Sequence, residues 1–104
     1  EEQAKKFGVR APMVGHMGDG NFHVVLPFDP KNKESYKKIR AFNDVLIRKA
    51  LELNGTITGE HGVGLHKKEY LLEQHPDNIP VMKSIKRTLD PNNIMNPGKI
   101  FDLN

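Results

Sequence analysis

Apolar residues recur at steps of three and four between about Lys33 and Leu53, which is the spacing of one face of a helix. Asn32 is placed to cap the start of that helix, and Asn54 with Gly55 follows its end. The stripe consists of Tyr36, Ile39, Phe42, Leu46, Ala50 and Leu53. This pattern predicts a long amphipathic helix that packs its apolar face into the core.

Shorter helical patterns lie on both sides of it. Glu1–Lys6 has the pattern of a helix end, Leu65–Gln74 that of a charged helix, and residues 77–89 that of an amphipathic helix with Pro80 in its first turn. The side chains predicted to face inward from the last helix are Ile79, Met82, Ile85 and Leu89. After Asp90 we predict a loop tied down by Ile94, Met95, Ile100 and Phe101.

Two extended segments precede the long helix. Val9–Gly15, interrupted by Pro12, and Asn21–Phe28 have the composition of strands. Asp19-Gly20 between them is a strong signal for a two-residue hairpin turn. The chain therefore predicts an α+β fold of one domain at most, with a β-hairpin and about three helices.

Two histidines flank the predicted turn, His16 and His23, seven residues apart. A two-residue turn at Asp19-Gly20 would pair them directly, with their Cβ atoms about 5 Å apart on one face of the hairpin. Two neutral imidazoles at that separation can share one divalent metal ion, whose bonds to nitrogen are about 2.0–2.1 Å long. The spacing therefore predicts two ligands of one ion.

A third ligand is predicted in residues 55–64, a segment with four glycines in ten residues. Glu60 and His61 are adjacent there, and two histidines with one carboxylate are the ligand set of catalytic zinc sites and of non-haem iron sites. We therefore predict Glu60 as the third ligand. His61, which would not bind the metal, is predicted as a general base, because an imidazole titrates near neutral pH.

Each of these features also has a plainer interpretation. A single histidine is more often a surface or hydrogen-bonded residue than a ligand, and Asp-Gly and glycine-rich segments often serve only as turns. On these residues alone, a metal-binding module without redox activity, a metallohydrolase with the same three ligands and a purely structural segment all stay open.

Three motifs in this order resemble the C-terminal part of FAD-linked oxidases that act on D-2-hydroxy acids. They are Gly-His-Met-Gly-Asp-Gly-Asn-Phe-His at 15–23, Gly-Glu-His-Gly at 59–62 and Asn-Pro-Gly-Lys at 96–99. The resemblance covers about residues 9–101 and extends to glycolate oxidase FAD subunits, D-lactate dehydrogenases and D-2-hydroxyglutarate dehydrogenases of the vanillyl-alcohol oxidase superfamily.

The resemblance implies that the chain is a C-terminal fragment of a ferredoxin-like substrate (cap) domain, residues 1–104, whose flavin-binding domain lies outside it. It assigns His16, His23 and Glu60 as ligands of zinc or manganese and His61 as the base, in agreement with the pattern of the residues themselves. It also places Asn96 near the flavin or the substrate. The implied cofactors are FAD and the divalent metal.

Val25 departs from the pattern of some relatives. Relatives acting on larger hydroxy diacids carry a polar, substrate-contacting residue two positions after the second metal-binding histidine, and valine stands there in this chain. Because valine makes no such hydrogen bond, a smaller hydroxy acid of the glycolate or D-lactate type is favoured over 2-hydroxyglutarate.

The charge and composition of the chain limit the kinds of partner that it is expected to bind. The net charge is +3, and the basic cluster around Lys31–Arg40 contains Glu34 and has no interleaved aromatic platform, so a solvated helix face is favoured over nucleic-acid binding. The chain has no cysteine, and its apolar runs are shorter than the ~18 residues of a membrane helix. We expect a cytoplasmic protein. Its expected partners are a small 2-hydroxy acid, the flavin domain and further oxidase subunits, and we expect the fragment alone to be inactive.

Overall fold

The computed structural model describes residues 1–103 and contains two compact units, an N-terminal unit of residues 1–54 and a C-terminal unit that begins at Gly55. Its elements in chain order are α1 (Glu2–Phe7), β1 (Met13–His16), a 3₁₀ turn (Met17–Asp19), β2 (Asn21–Val24), α2 (Lys33–Glu52), α3 (Lys68–Gln74) and α4 (Ile79–Leu89). The α+β class is confirmed: an antiparallel hairpin and the three predicted helices are present, with short α1 before them.

The start of α2 is held by the side chain of Asn32, as predicted. Its oxygen accepts hydrogen bonds from the backbone N–H groups of Glu34 and Ser35, each at 3.0 Å. These bonds satisfy donors that have no partner within the helix. The cap therefore explains why the helix begins where Asp29-Pro30 turns the chain.

The apolar face of α2 forms the core of the N-terminal unit around Phe42. Phe42 is buried, and the ring of Phe7 from α1 packs edge-on against it with 6.0 Å between ring centroids. The predicted stripe is correct at its centre. At its ends Tyr36 and Leu53 are exposed, whereas Ile47, outside the stripe, is buried.

Both strands are shorter than predicted, because proline limits the ladder on each side. β1 starts at Met13, since Pro12 has no N–H to donate, although its carbonyl still accepts from the N–H of Val25 at 2.9 Å. β2 ends at Val24, before Pro27, and the predicted continuation to Phe28 is wrong.

In the C-terminal unit the predicted helix starts and inward faces need correction. α3 begins at Lys68 and α4 at Ile79, each later than the pattern suggested. Pro80 does lie in the first turn of α4. Ile79 is buried and Met82 is half-buried, but Ile85 and Leu89 are 56% and 75% exposed, so within the described residues the predicted inward face is covered only in its first half. Other buried apolar residues of the unit are Ile57, Tyr70 and Leu71.

The tail after α4 is held in a different way from the one predicted. Ile94, Met95 and Ile100 are exposed, and of the four predicted anchors only Phe101 is half-buried, so apolar burial contributes little to holding it. Hydrogen bonds to buried Asp90 and to the carbonyl of Gly64 hold it instead. Among residues 1–103, no helix is long and apolar enough to cross a membrane.

Candidate metal-binding and catalytic site

The hairpin turn of the N-terminal unit differs from the predicted two-residue turn. His16 pairs with Asn21, so four residues form the loop, and three of them are the 3₁₀ turn. Gly20 alone takes the left-handed conformation, at φ 71°, and donates its N–H to the carbonyl of Met17. The predicted direct pair of His16 with His23 is therefore wrong.

The two imidazoles nevertheless share one face of the hairpin. His23 pairs with Val14 and His16 with Asn21, and side chains alternate between faces along each strand, so these four residues lie on the same side. His16 and His23 are diagonal neighbours, a relation that places Cα atoms about 7–8 Å apart and Cβ atoms somewhat closer. The Val25–Pro12 hydrogen bond continues the same register, so Val25 also lies on this face.

Gly15 allows the two strands to approach. A Cβ atom built at this position would lie 2.7 Å from Cα of Phe22 and 2.9 Å from the carbonyl oxygen of Asn21. Its φ of +151° is one that residues with side chains rarely adopt. The glycine before His16 is thus required by the packing of the hairpin backbone.

Glu60 and His61 lie in an irregular segment at the start of the C-terminal unit, between α2 and α3. Both side chains are exposed. The backbone takes left-handed conformations just after them, at Gly62 with φ 74° and Gly64 with φ 56°, and no heavy atom lies near either glycine's Cβ position. The left-handed backbone conformation is therefore what favours glycine at these two positions.

The residues before Glu60 are held by side chains from the two ends of α3. The N–H of buried Ile57 donates to Oε1 of Gln74 at 3.3 Å, and its carbonyl accepts from Nζ of Lys67 at 3.2 Å. The Thr56 hydroxyl donates to the same glutamine oxygen at 3.3 Å. Burial lowers the pKa of the Lys67 ammonium from its ordinary value.

The residues after His61 are held by the tail. The N–H of Ile100 donates to the carbonyl of Gly64 at 2.8 Å. Ile100 has φ 69°, an outlying conformation for a β-branched residue. Asp102, two residues further on, accepts hydrogen bonds from Nζ of Lys68 with both carboxylate oxygens, at 2.8 Å each.

Asn96 lies in the tail, exposed and with φ 47°. Its carbonyl accepts from the N–H of Lys99, which closes a turn over Pro97 and Gly98. Proline followed by a glycine at φ 71° is the combination a type II turn requires. The backbone of Asn96 is therefore well defined. Its predicted contact with flavin or substrate stays a prediction.

Sequence reasoning missed three polar residues in this region. Lys67 and Gln74 were expected only as part of a charged helix, and nothing in the sequence marks two helix-end side chains as partners of Ile57. Thr58, two residues before Glu60, has a buried hydroxyl oxygen for which the described residues provide no hydrogen-bond partner.

Comparison with known proteins identifies the family. The family described as FAD linked oxidases, C-terminal domain, matches residues 1–100. The chain belongs to this family.

Similar proteins are named as dehydrogenases or oxidases of 2-hydroxy acids. A probable mitochondrial D-lactate dehydrogenase of Danio rerio is 46% identical over 96 residues, which cover 91% of this chain and 19% of the relative. The glycolate oxidase subunit GlcD of Bacillus subtilis is 42% identical over 99 residues, 94% of this chain and 21% of the relative. A D-2-hydroxyglutarate dehydrogenase of Stutzerimonas stutzeri is 44% identical over 90 residues, 84% and 19% respectively. The chain thus spans about a fifth of the length of these relatives.

Proposed function

We propose that the chain supplies the metal ligands and the catalytic base of an FAD-dependent enzyme that oxidises a small D-2-hydroxy acid. The observation that carries this proposal is the placement of His16 and His23 on one face of the hairpin in a member of the FAD-linked oxidase family. The flavin-binding domain of that enzyme would lie outside this chain, consistent with the one-fifth coverage of the relatives.

His16, His23 and Glu60 are the proposed ligands of a zinc or manganese ion. Two imidazole nitrogens and a carboxylate oxygen fit such an ion, and three protein ligands leave a coordination position for substrate oxygens. A bound divalent ion supplies Lewis acidity toward those oxygens. The ligands come from two sources: a hairpin that presents both histidines, and a loop that presents the carboxylate.

His61 is the proposed base that accepts the proton of the C2 hydroxyl. Its position directly after Glu60 keeps it next to the ligand, and it is not itself one of the three proposed ligands. FAD, when bound, would supply the acceptor for the hydride that leaves C2, so that loss of the hydroxyl proton and of this hydride converts the acid into a 2-oxo acid. Asn96 is proposed to contact the flavin or the substrate through its side-chain amide.

Val25 supports a substrate of the glycolate or D-lactate type. It lies on the same hairpin face as His23 and offers only an apolar side chain to a ligand there. The test of this substrate class uses the enzyme made from the complete reading frame that contains this sequence. Its kcat/KM values for glycolate, D-lactate and D-2-hydroxyglutarate are compared. A preference for D-2-hydroxyglutarate would contradict it.

The metal site is tested by titrating the chain with Zn²⁺ and Mn²⁺. We expect one ion per chain, and weaker binding by about 10–100-fold or more in His16→Ala, His23→Ala and Glu60→Gln, because each removes a ligand. His66→Ala is the matched control, since His66 is an exposed imidazole outside the proposed set. Unchanged affinity after loss of either hairpin histidine would disprove the ligand assignment.

The redox class is tested by adding a 2-hydroxy acid to the flavin-containing enzyme without oxygen. We expect loss of the oxidised flavin absorbance. An enzyme that binds metal but leaves the flavin oxidised would favour a metallohydrolase or a metal-binding module instead.

The proposed partners are the flavin domain, the 2-hydroxy acid and further oxidase subunits.

We also predict a cytoplasmic location, although the D-lactate dehydrogenases of Arabidopsis thaliana and Saccharomyces cerevisiae are named as mitochondrial. Cell fractionation with immunodetection checks this, and a mitochondrial signal would contradict it.

A further inference from the structure

Ile57 is the point at which the loop carrying Glu60 and His61 is fixed. It is buried, and it belongs to no helix or strand, so neither its N–H nor its carbonyl has a partner in a regular ladder. Buried backbone groups without partners are costly, which is why nearly all such groups in proteins are hydrogen-bonded. Here side chains provide both partners, Gln74 for the N–H and Lys67 for the carbonyl.

These two side chains are the ends of one rigid element. Lys67 is the residue that precedes the first turn of α3, and Gln74 is the last residue of that helix. Seven residues of helix rise by about 10 Å, so the two groups reach Ile57 from positions that the helix keeps at a constant separation. The buried residues Tyr70 and Leu71 anchor α3 between them.

The same loop is fixed again after His61. The hydrogen bond from Ile100 to Gly64 closes its far end, so Glu60 and His61 lie between two anchored points, Ile57 and Gly64. Both proposed functional side chains are themselves exposed. Anchoring the loop backbone at these two points therefore constrains where both side chains can lie.

We infer that Lys67 and Gln74 are positioning residues, which set the place of Glu60 and His61 through the two backbone groups of Ile57. The inference rests on the proposed function, because it assigns these residues a role in metal binding and proton transfer. Groups that orient a ligand without touching the ion commonly change metal affinity by about 10–100-fold when they are removed. Neither residue is a metal ligand or a base in this scheme.

The test compares variants that remove each hydrogen bond with variants that keep it. Lys67→Met and Gln74→Leu keep the bulk of the side chain and remove its polar group, whereas Lys67→Arg keeps a donor and Gln74→Glu keeps an acceptor. Gln74→Asn is a milder variant, which withdraws the amide by one methylene. Lys49→Met and Gln3→Leu are matched controls at exposed positions of the N-terminal unit.

The readouts are the Zn²⁺ and Mn²⁺ dissociation constants, amide hydrogen exchange at Ile57 and circular dichroism as a check of folding. We expect Lys67→Met and Gln74→Leu to raise the dissociation constants about tenfold, and Lys67→Arg, Gln74→Glu and both controls to stay within about threefold of wild type. The Ile57 amide should exchange faster in Gln74→Leu and Gln74→Asn. If Gln74→Leu fails to fold, Gln74→Asn carries the comparison.

The outcomes separate the two proposals. Metal affinity that is unchanged in every folded variant, with wild type binding metal, would overturn the positioning role and leave the proposed metal site standing. The positioning role would also be overturned if Lys67→Arg and Gln74→Glu, which keep the hydrogen bonds, lost as much metal affinity as Lys67→Met and Gln74→Leu, which remove them. A wild-type chain that binds neither ion would instead refute the metal site itself, and the positioning role with it.

Discussion

The carboxylate of Asp90 organises the segment between α4 and the tail. It is buried and accepts hydrogen bonds from the backbone N–H of Ile94 at 3.0 Å and of Met95 at 2.9 Å, and from the ammonium of Lys86. The hydrogen bond from Lys86 is the main cause that holds the pKa of Asp90 below its ordinary value, and the two backbone bonds add to it. Burial raises the pKa of this carboxyl, but the hydrogen bonds together lower it by more.

We expect Asp90→Asn to destabilise the chain at neutral pH and progressively less in acid. Because the folded state lowers the pKa of Asp90, the unfolded state binds more protons in the window between the two pKa values, and stability rises with pH there. The stabilisation is complete above the unfolded pKa of about 3.9 and is lost as the pH falls toward the lower folded value.

This difference in stability is measured by urea unfolding of wild type and Asp90→Asn, at neutral pH and at pH values below 4. Asp44→Asn is the control, since Asp44 pairs with Arg48 on the surface of α2, where such pairs contribute about 0.3–0.5 kcal/mol. A wild-type advantage over Asp90→Asn that is as large in acid as at neutral pH would contradict the assignment.

Glu60 and His61 are adjacent, yet we expect their substitutions to have different effects. In the enzyme made from the complete reading frame, Glu60→Gln should remove the metal and weaken substrate binding. His61→Asn should keep the metal and slow flavin reduction by about 10²–10⁴-fold, the usual contribution of a general base. Elemental analysis and rapid-mixing absorbance measure the two effects. Loss of metal from the His61 variant, or flavin reduction at the wild-type rate, would show that the base lies elsewhere.

At the level of elements, the hairpin depends on one close backbone contact. Strands of four residues in a two-stranded sheet are marginal in water without further packing. The approach of Gly15 to Phe22 brings the strands together, so the position of both histidines depends on this glycine.

Gly15→Ala should therefore damage the hairpin, whereas Gly18→Ala should not. The new methyl group would meet backbone atoms at 2.7 Å, and overpacking of this kind typically costs about 1–3 kcal/mol. Gly18 has no heavy atom within 4 Å of its Cβ position, so its alanine variant should stay within about 0.5 kcal/mol of wild type. Urea unfolding and Zn²⁺ titration of both variants check this. Equal behaviour of the two would contradict the close approach.

Two residues of α4 test the correction of its predicted inward face. Ile79 is 7% exposed and Leu89 is 75% exposed, although the sequence pattern places both on one apolar side. We expect Ile79→Ala to cost about 2–5 kcal/mol, as buried truncations do, and Leu89→Ala to change stability by less than about 0.5 kcal/mol. The measurement is the free energy of unfolding of each variant. A large loss of stability in Leu89→Ala would contradict the exposure of Leu89 and support the predicted inward face.

On the scale of the whole molecule, the chain carries much exposed apolar surface. Besides Leu89, the exposed apolar side chains include Val81, Ile85, Ile94 and Met95 in the C-terminal unit and Val14, Met17 and Phe22 in the N-terminal unit. Where exposed apolar side chains are contiguous, they commonly mark surfaces that contact another part of a protein. The exposed apolar surface agrees with our proposal that the enzyme has further parts.

We expect the chain, purified by itself, to be colourless and to leave glycolate and D-lactate unoxidised. Its sequence has no glycine-rich dinucleotide fingerprint, and the flavin domain is proposed to lie outside it. The visible absorbance spectrum measures bound flavin, with the product of the complete reading frame as the control. A yellow preparation with one FAD per chain would refute this expectation.

Local features were predictable from the sequence because they depend on neighbours along the chain. The Asn32 cap, the extent of α2 and the position of Pro80 each follow from bonds or steric limits within a few residues. The motifs predicted the family for a similar reason, since they are short and lie in a fixed order.

The hairpin shows what the sequence determined and what it left to the fold. Asp19-Gly20 favours a two-residue turn, but the chain forms a four-residue loop, and the register moves by two residues. A one-residue slip would have moved one histidine to the other face, whereas a two-residue slip preserves the alternation. The shared face of His16 and His23 was therefore predictable, and their pairing partners were not.

The remaining features were decided by tertiary structure alone. Lys67 and Gln74 bind Ile57 across 10 and 17 residues of chain, and Asp90 is buried by folding despite its charge. Periodicity identified the apolar side of α4 but could not say how much of it another element would cover. A sequence pattern states which side chains share a face, whereas burial and long-range hydrogen bonds depend on which elements the folded chain places against that face.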